Sequence, residues 1–221
     1  MRPIIVASLP IKKVEDLYSI EKFLDSDLIE LRLDYLKNPS IIRDYYDYLN
    51  KYKNKLIITL RDKNEGGKYE INDELKVKLI KEFYDRGFLY DIEALFVKKY
   101  NIPYENKIVS VHYFSSLPTK KELIDIINEY KEKAYTVKIA LAGIKGYKEL
   151  LSSLLEYPNV TLIPMSNNPA ERIAFGMLGS KLFYSYASEP LAPGQLYYKR
   201  AMEIFNYINE IITSSFSIRT L

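Results

Sequence analysis

Cysteine is absent from all 221 residues, which removes disulfides, thiolate nucleophiles and cysteine-held metals from consideration. Histidine occurs once, as His112, so chemistry that needs an imidazole has a single candidate. No stretch approaches the roughly 20 apolar residues that span a bilayer. The apolar run at residues 4–9 is too short for a signal-peptide core and is followed by Lys12 and Lys13; the expected location is cytoplasmic, with no membrane partner. Charge excess is also missing: 32 Lys and Arg against 29 Asp and Glu give +3. Without a clustered basic run, that balance speaks against a dedicated nucleic-acid binder and suits an anionic small substrate. No GxGxxG or P-loop pattern occurs, and the Gly66-Gly67 pair reads by itself as a turn. Neither an internal repeat nor a Gly/Ser linker divides the chain, which is read as one domain over residues 1–221.

What is present is alternation. Short β-branched runs at 4–8, 28–34, 56–61, 88–93, 108–112, 136–140, 160–165 and 182–186 read as strands. Between them lie amphipathic stretches. In 120–133, Leu123, Ile126, Ile127 and Tyr130 fall at i, i+3, i+4 and i+7, and Thr119 with Glu122 forms a capping box at the start. Residues 13–25, 40–53, 72–86, 145–157 and 194–213 also read as helices. Strands alternating with helices imply parallel strands with crossover helices. Eight such units in 221 residues predict a single-domain α/β fold, the (β/α)8 TIM barrel.

Every second side chain of a strand shares a face. Residues 28–34 put Ile29, Leu31 and Leu33 on one face and Glu30, Arg32 and Asp34 on the other. The same alternation turns Arg61, then Asp91 with Glu93, then Ser110 with His112, and then Lys138 toward the barrel interior. All are read as lying toward the C-terminal strand ends, where barrel active sites are built. Burying such groups is costly unless they are paired, so the cluster calls for a function.

Two chemistries fit these residues. A desolvated lysine among other cations can have its pKa lowered enough to attack a carbonyl, with the nearby imidazole moving protons. Alternatively, Glu30, Asp34, Asp91, Glu93 and His112 supply an oxygen-rich set for Mg²⁺ or Mn²⁺, as in metal-dependent barrel isomerases or lyases. Against the metal, Arg32 and Arg61 share the interior and neutralise the field a cation needs. The segment Ala192-Pro193-Gly194-Gln195, after the last strand, reads either as a helix entry or as a lid carrying Gln195 over the site.

Taken in order, Glu30-Leu31-Arg32-Leu33-Asp34, Arg61-Asp62-Lys63-Asn64-Glu65-Gly66-Gly67, Asp91-Ile92-Glu93, Ser110-Val111-His112, Val137-Lys138-Ile139-Ala140 and Ala192-Pro193-Gly194-Gln195 resemble the signature of type I 3-dehydroquinate dehydratases. The resemblance covers nearly the whole chain. It implies dehydration of 3-dehydroquinate to 3-dehydroshikimate, in the shikimate route to aromatic amino acids, without cofactor or metal. Lys138 would form an imine with the substrate ketone, His112 would move protons, and Glu65 would orient His112. Arg172 would pair with the substrate carboxylate, and Glu30, Arg32, Arg61 and Gln195 would hold its hydroxyls, with Ser8 at the pocket edge. Met165 and Tyr184 would form apolar walls. A homodimer is common in that family. Two departures stand out. Asn167-Asn168-Pro169-Ala170-Glu171 precedes Arg172 where the family usually has Gly and Ser, and Leu191 stands where it often has a Ser that bonds substrate.

Overall fold

β-Branched and aromatic runs bounded by turns extend into eight parallel strands. In the computed structural model, which describes residues 2–217, these are β1 (Ile4–Pro10), β2 (Leu28–Arg32), β3 (Leu56–Thr59), β4 (Leu89–Glu93), β5 (Ile108–Tyr113), β6 (Thr136–Ala142), β7 (Val160–Met165) and β8 (Leu182–Tyr186). The hydrogen-bonded order β7-β6-β5-β4-β3-β2-β1-β8 runs almost fully around a cylinder. At the seam between β7 and β8, one backbone bond is joined by two to side-chain hydroxyls. Lys181 N donates to Val160 O at 2.9 Å, Leu162 N to Ser180 Oγ at 2.9 Å and Leu182 N to Thr161 Oγ1 at 3.3 Å. The predicted eight-stranded barrel is therefore present, stapled at one edge by two hydroxyls.

Strand alternation divides the apolar residues into two cores. Val6, Ile57, Ile108, Ala140, Ile163 and Leu182 pack inside the cylinder. The opposite faces, including Ile29, Leu31, Ile58, Val109, Val137 and Ile139, pack against the outer helices. These helices are α1 (Tyr46–Asn50), α2 (Asp73–Asp85), α3 (Ala94–Tyr100), α4 (Lys120–Tyr130), α5 (Tyr147–Ser152), α6 (Pro169–Met177) and α7 (Tyr198–Ser217). The starts of α2, α4 and α6 follow ordinary capping chemistry. Thr119 and Glu122 close the expected capping box on α4. Asn168 caps α6, with Pro169 at its first position, where the missing N–H costs nothing.

Several boundaries differ from the sequence reading, each for a local reason. Residues 13–25 form a 3-10 helix, Val14–Phe23, whose buried Leu17, Ile20 and Phe23 recur every third residue, the period of that tighter helix. The stretch 40–53 divides into a 3-10 helix, Pro39–Tyr45, and the short α1. β2 ends at Arg32 rather than Asp34, because Leu33–Tyr35 turn so that Asp34 reaches back to the Arg32 guanidinium. β6 runs on to Ala142. Lys138 therefore sits mid-strand, deeper in the barrel than a strand-end residue. α3 and α6 occupy connections in which the sequence pattern was weak.

Candidate active site

Sheet register assembles the site. Thr59 lies beside Asp91, Glu93 beside Ser110, and Ser110 beside Lys138. Adjacent strands therefore bring Asp91, Glu93, Ser110 and Lys138 together in the barrel interior. Lys138 Nζ donates to Asp91 Oδ2 at 2.5 Å, and the Tyr184 ring centroid lies 4.2 Å from the same nitrogen. Arg61 pairs with Asp91 at 2.7 Å and with Glu93 at 2.9 Å, and it donates to Ser110 Oγ at 2.8 Å. Ser110 Oγ in turn donates to Asp91 Oδ1 at 2.6 Å. Glu93 is completed from outside the barrel wall by Lys76 of α2, at 2.6 Å. In this buried cluster Arg61, Lys76 and Lys138 face two carboxylates, Asp91 and Glu93. One cation is in excess.

Burial lowers the Lys138 pKa from its ordinary value; Asp91 opposes the shift and Arg61 assists it. For Asp91, burial works upward but is outweighed by Arg61 and Lys138, so its carboxyl stays well below the usual range. Arginine cannot release its proton under these conditions. Burial therefore loosens the proton on Lys138, and an amine that gives up its proton is a nucleophile.

The imidazole is held by a built turn. Asp62 Oδ1 accepts from Asn64 N, and its carbonyl accepts from Glu65 N and Gly67 N. Gly66 has φ +88°, and a Cβ at Gly67 would meet Arg61 O at 2.2 Å, so the glycine pair is a steric requirement. The turn aims Glu65 at His112. Glu65 Oε2 lies 2.9 Å from His112 Nδ1 and accepts from His112 N at 3.0 Å. Burial, with Arg61 and Lys138 adding to it, holds the His112 pKa well below its ordinary value. Burial and the neighbouring Glu93 push Glu65 up to about 8. Both shifts have one sense: the pair carries as little charge as it can. With Nδ1 engaged, Nε2 is the nitrogen left for a substrate.

A cavity of about 120 Å³ sits above these groups, lined by Lys138, His112, Arg32, Arg172 and Met165 among others. Glu30 and Gln195 also line it. Glu30 accepts from Ser8 Oγ at 2.6 Å and from Thr59 Oγ1 at 2.8 Å. Ser8 thus lies behind Glu30 and is buried. Arg32 forms a two-bond pair with Asp34, both at 2.8 Å. Arg172, in the first turn of α6, is buried, and burial brings its pKa down to about 10. Its Nε and Nη2 donate to Pro193 O at 3.1 and 2.8 Å. Gln195 Oε1 accepts from Leu191 N and Ala192 N, which folds the lid segment on itself.

Tyr184 was expected as an apolar wall. Its ring packs on the Lys138 ammonium, and its hydroxyl donates to Asp91 Oδ2 at 3.5 Å. Lys76 and Phe114 were not anticipated. Lys76 belongs to an amphipathic helix on which a lysine normally signals the solvent face, and Phe114 reaches the cavity from beyond the end of β5. The metal-centred alternative lacks its donor set: among the described residues no three His, Asp or Glu converge on one point. The physical cause is pairing, since Asp34, Asp91 and Glu93 already serve Arg32, Lys138, Arg61 and Lys76.

Comparison with known proteins bears on this geometry. Residues 5–212 match the family model described as type I 3-dehydroquinase. The chain belongs to the type I 3-dehydroquinase family. Within it, the chain is 65% identical over 217 residues to the 3-dehydroquinate dehydratase of Saccharolobus solfataricus, covering 97% of this chain and 99% of that one. It is 45% identical to the enzyme of Sulfolobus acidocaldarius, covering 96% of each. The type I 3-dehydroquinate dehydratase of Clostridium difficile shares its fold, with a TM-score of 0.76 at 24% identity over 95% of this chain and 93% of that one. Among the described residues no helix is long and apolar enough to cross a membrane.

Proposed function

We propose that this chain dehydrates 3-dehydroquinate to 3-dehydroshikimate through an imine on Lys138, as a step of the shikimate route to aromatic amino acids. The observation that carries the mechanism is the buried cluster of Arg61, Lys76, Asp91, Glu93 and Lys138, in which Lys138 is the amine that lines the cavity. The neutral Nζ attacks the substrate ketone, and the carbinolamine hydroxyl leaves as water with a proton delivered through His112, so that a protonated imine remains. His112 takes a proton from the adjacent carbon, and the electron pair flows toward the imine nitrogen, which acts as the sink. The electrons return to expel the β-hydroxyl, which leaves as water with a proton from the imidazolium. Hydrolysis of the imine regenerates Lys138. Glu65 offsets the transient charge on His112. Arg172 receives the substrate carboxylate, for which its fork is shaped. Glu30, Arg32 and Gln195 hold hydroxyls, with Met165 and Tyr184 packed against the ring, Arg61 fixing Asp91 beneath, and Ser8 holding Glu30.

Borohydride added with 3-dehydroquinate should leave a reduced adduct on Lys138 in the intact mass, absent from Lys138→Ala. An adduct on a different lysine, or none, would sink the imine reading. In His112→Ala the imine should form yet persist without borohydride, because elimination and hydrolysis both need proton transfer. A positioned acid–base group is worth roughly 10² to 10⁴ in rate. Near-normal turnover of that variant would remove His112 from the mechanism.

A further inference from the structure

Lys76 lies on α2, outside the strands, where amphipathic helices usually place lysines in solvent. It is instead 1% exposed, as buried as the core residue Leu79 of the same helix. Its Nζ is 2.6 Å from Glu93 Oε2 and 4.4 Å from the Phe96 ring centroid. Glu93 uses its other oxygen, Oε1, for Arg61 Nη1 and Asp62 N, both at 2.9 Å. Arg61 continues to Asp91, and Asp91 to Lys138. An unbroken series of ion pairs therefore runs from a helix through the barrel wall to the proposed nucleophile. Desolvating a lysine for structure alone is unfavourable when an apolar residue fits the same slot.

We propose that Lys76 is a positioning residue for Lys138, acting through Glu93, Arg61 and Asp91. It occupies Glu93 from the outside, so that Arg61 is shared between Glu93 and Asp91 instead of being drawn wholly to Glu93. Asp91 then remains seated under Lys138. The same lysine supplies the surplus positive charge of the cluster, which favours the neutral amine. This inference rests on the imine reading. The charged and titratable groups around Lys138 are Asp91 from β4, Arg61 beyond β3, Glu30 from β2, His112 from β5 and Tyr184 from β8. Lys76 and Glu93 act on it from behind them.

The two ends of the outer pair give opposite predictions. The probe is the rate of cyanoborohydride trapping at Lys138, with saturating 3-dehydroquinate, followed by intact mass across a pH series. Lys76→Met removes a positive charge, so the amine should hold its proton longer and the trapping profile should move up. The shift should be on the order of one pH unit, typical of a single neighbouring charge in a protein interior. Glu93→Gln removes a negative charge and should move the profile down by a similar amount. The double variant Lys76→Met/Glu93→Gln restores the charge balance and should return close to the wild-type profile. General structural damage would slow trapping in all three without opposite displacements. Should Lys76→Met fail to fold, the direction seen for Glu93→Gln alone decides. Profiles that coincide with wild type, or that shift in the same direction for both single variants, overturn the proposal. Absence of trapping in the wild type would overturn the imine reading itself, and is seen before any variant is made.

Discussion

Arg172 shows how much one side chain can reveal by what it lacks. A buried guanidinium normally sits against a carboxylate, yet among the described residues its hydrogen bonds go to a backbone carbonyl, that of Pro193. Burial alone brings its pKa down to about 10, so it remains charged at neutral pH and retains bonding capacity toward the cavity. Under the proposed function, the substrate carboxylate supplies the missing counter-charge. Arg172→Lys keeps the charge and loses the planar fork, which is not a conservative change. A charge-assisted hydrogen bond contributes roughly 1.5–3 kcal/mol, so KM should rise about 10- to 100-fold, while trapping at Lys138 persists at saturating substrate. An unchanged KM would assign the carboxylate to another cation.

At the scale of elements, the segment between β8 and α7 is fitted against its neighbours as a lid. Gly194 has φ +68°, and a Cβ there would lie 2.3 Å from Ser166 O, at the end of β7. The lid thus rests directly on the backbone of the preceding β-to-α connection, while Arg172 of α6 holds its Pro193 carbonyl. Glu171 fixes that part of α6 by accepting from the Ser166 and Tyr147 hydroxyls and pairing with Lys148 at 2.7 Å. The departure from the family pattern just before Arg172 therefore builds its own support. Gly194→Ala combines a left-handed backbone penalty of roughly 1–2 kcal/mol with a backbone clash, so the lid must lift. We expect KM to rise severalfold while the melting temperature changes little, because residues 188–195 lie outside both cores. If KM is unaffected, lid seating on Ser166 contributes nothing to substrate binding.

For the whole molecule, the distribution of ion pairs sets how stability responds to acid. Arg43 holds the Glu82 carboxyl below its ordinary value. Lys148, then Ser166 and Tyr147, bring Glu171 down to about 2. A carboxylate whose folded pKa is depressed stabilises the fold above its unfolded value and loses that contribution as pH falls through the folded one. The melting temperature should therefore decline as pH drops from about 4.5 toward 2. Glu171→Gln should melt below wild type at pH 7, and the gap should close across that same window. A gap independent of pH would show that the glutamate side chain acts through packing rather than charge.

The eight-unit alternation, the single domain and the inward set of Glu30, Arg61, Asp91, His112 and Lys138 were legible from residue order, because the strand period of two assigns each side chain to a face before any partner is known. The ordered motifs also carried the family. Which of those inward charges face each other was decided by tertiary structure, since register across strands depends on contacts between residues distant in sequence. Asp34 and Asp91 could equally have faced a metal until the fold set them against Arg32, Arg61 and Lys138. Lys76 was illegible for the same reason: its helical position resembles that of any solvated lysine, and only the packing of α2 against β4 brings it to Glu93. The depth of Lys138 followed likewise from how far β6 pairs with its neighbours, a matter of long-range packing rather than local preference.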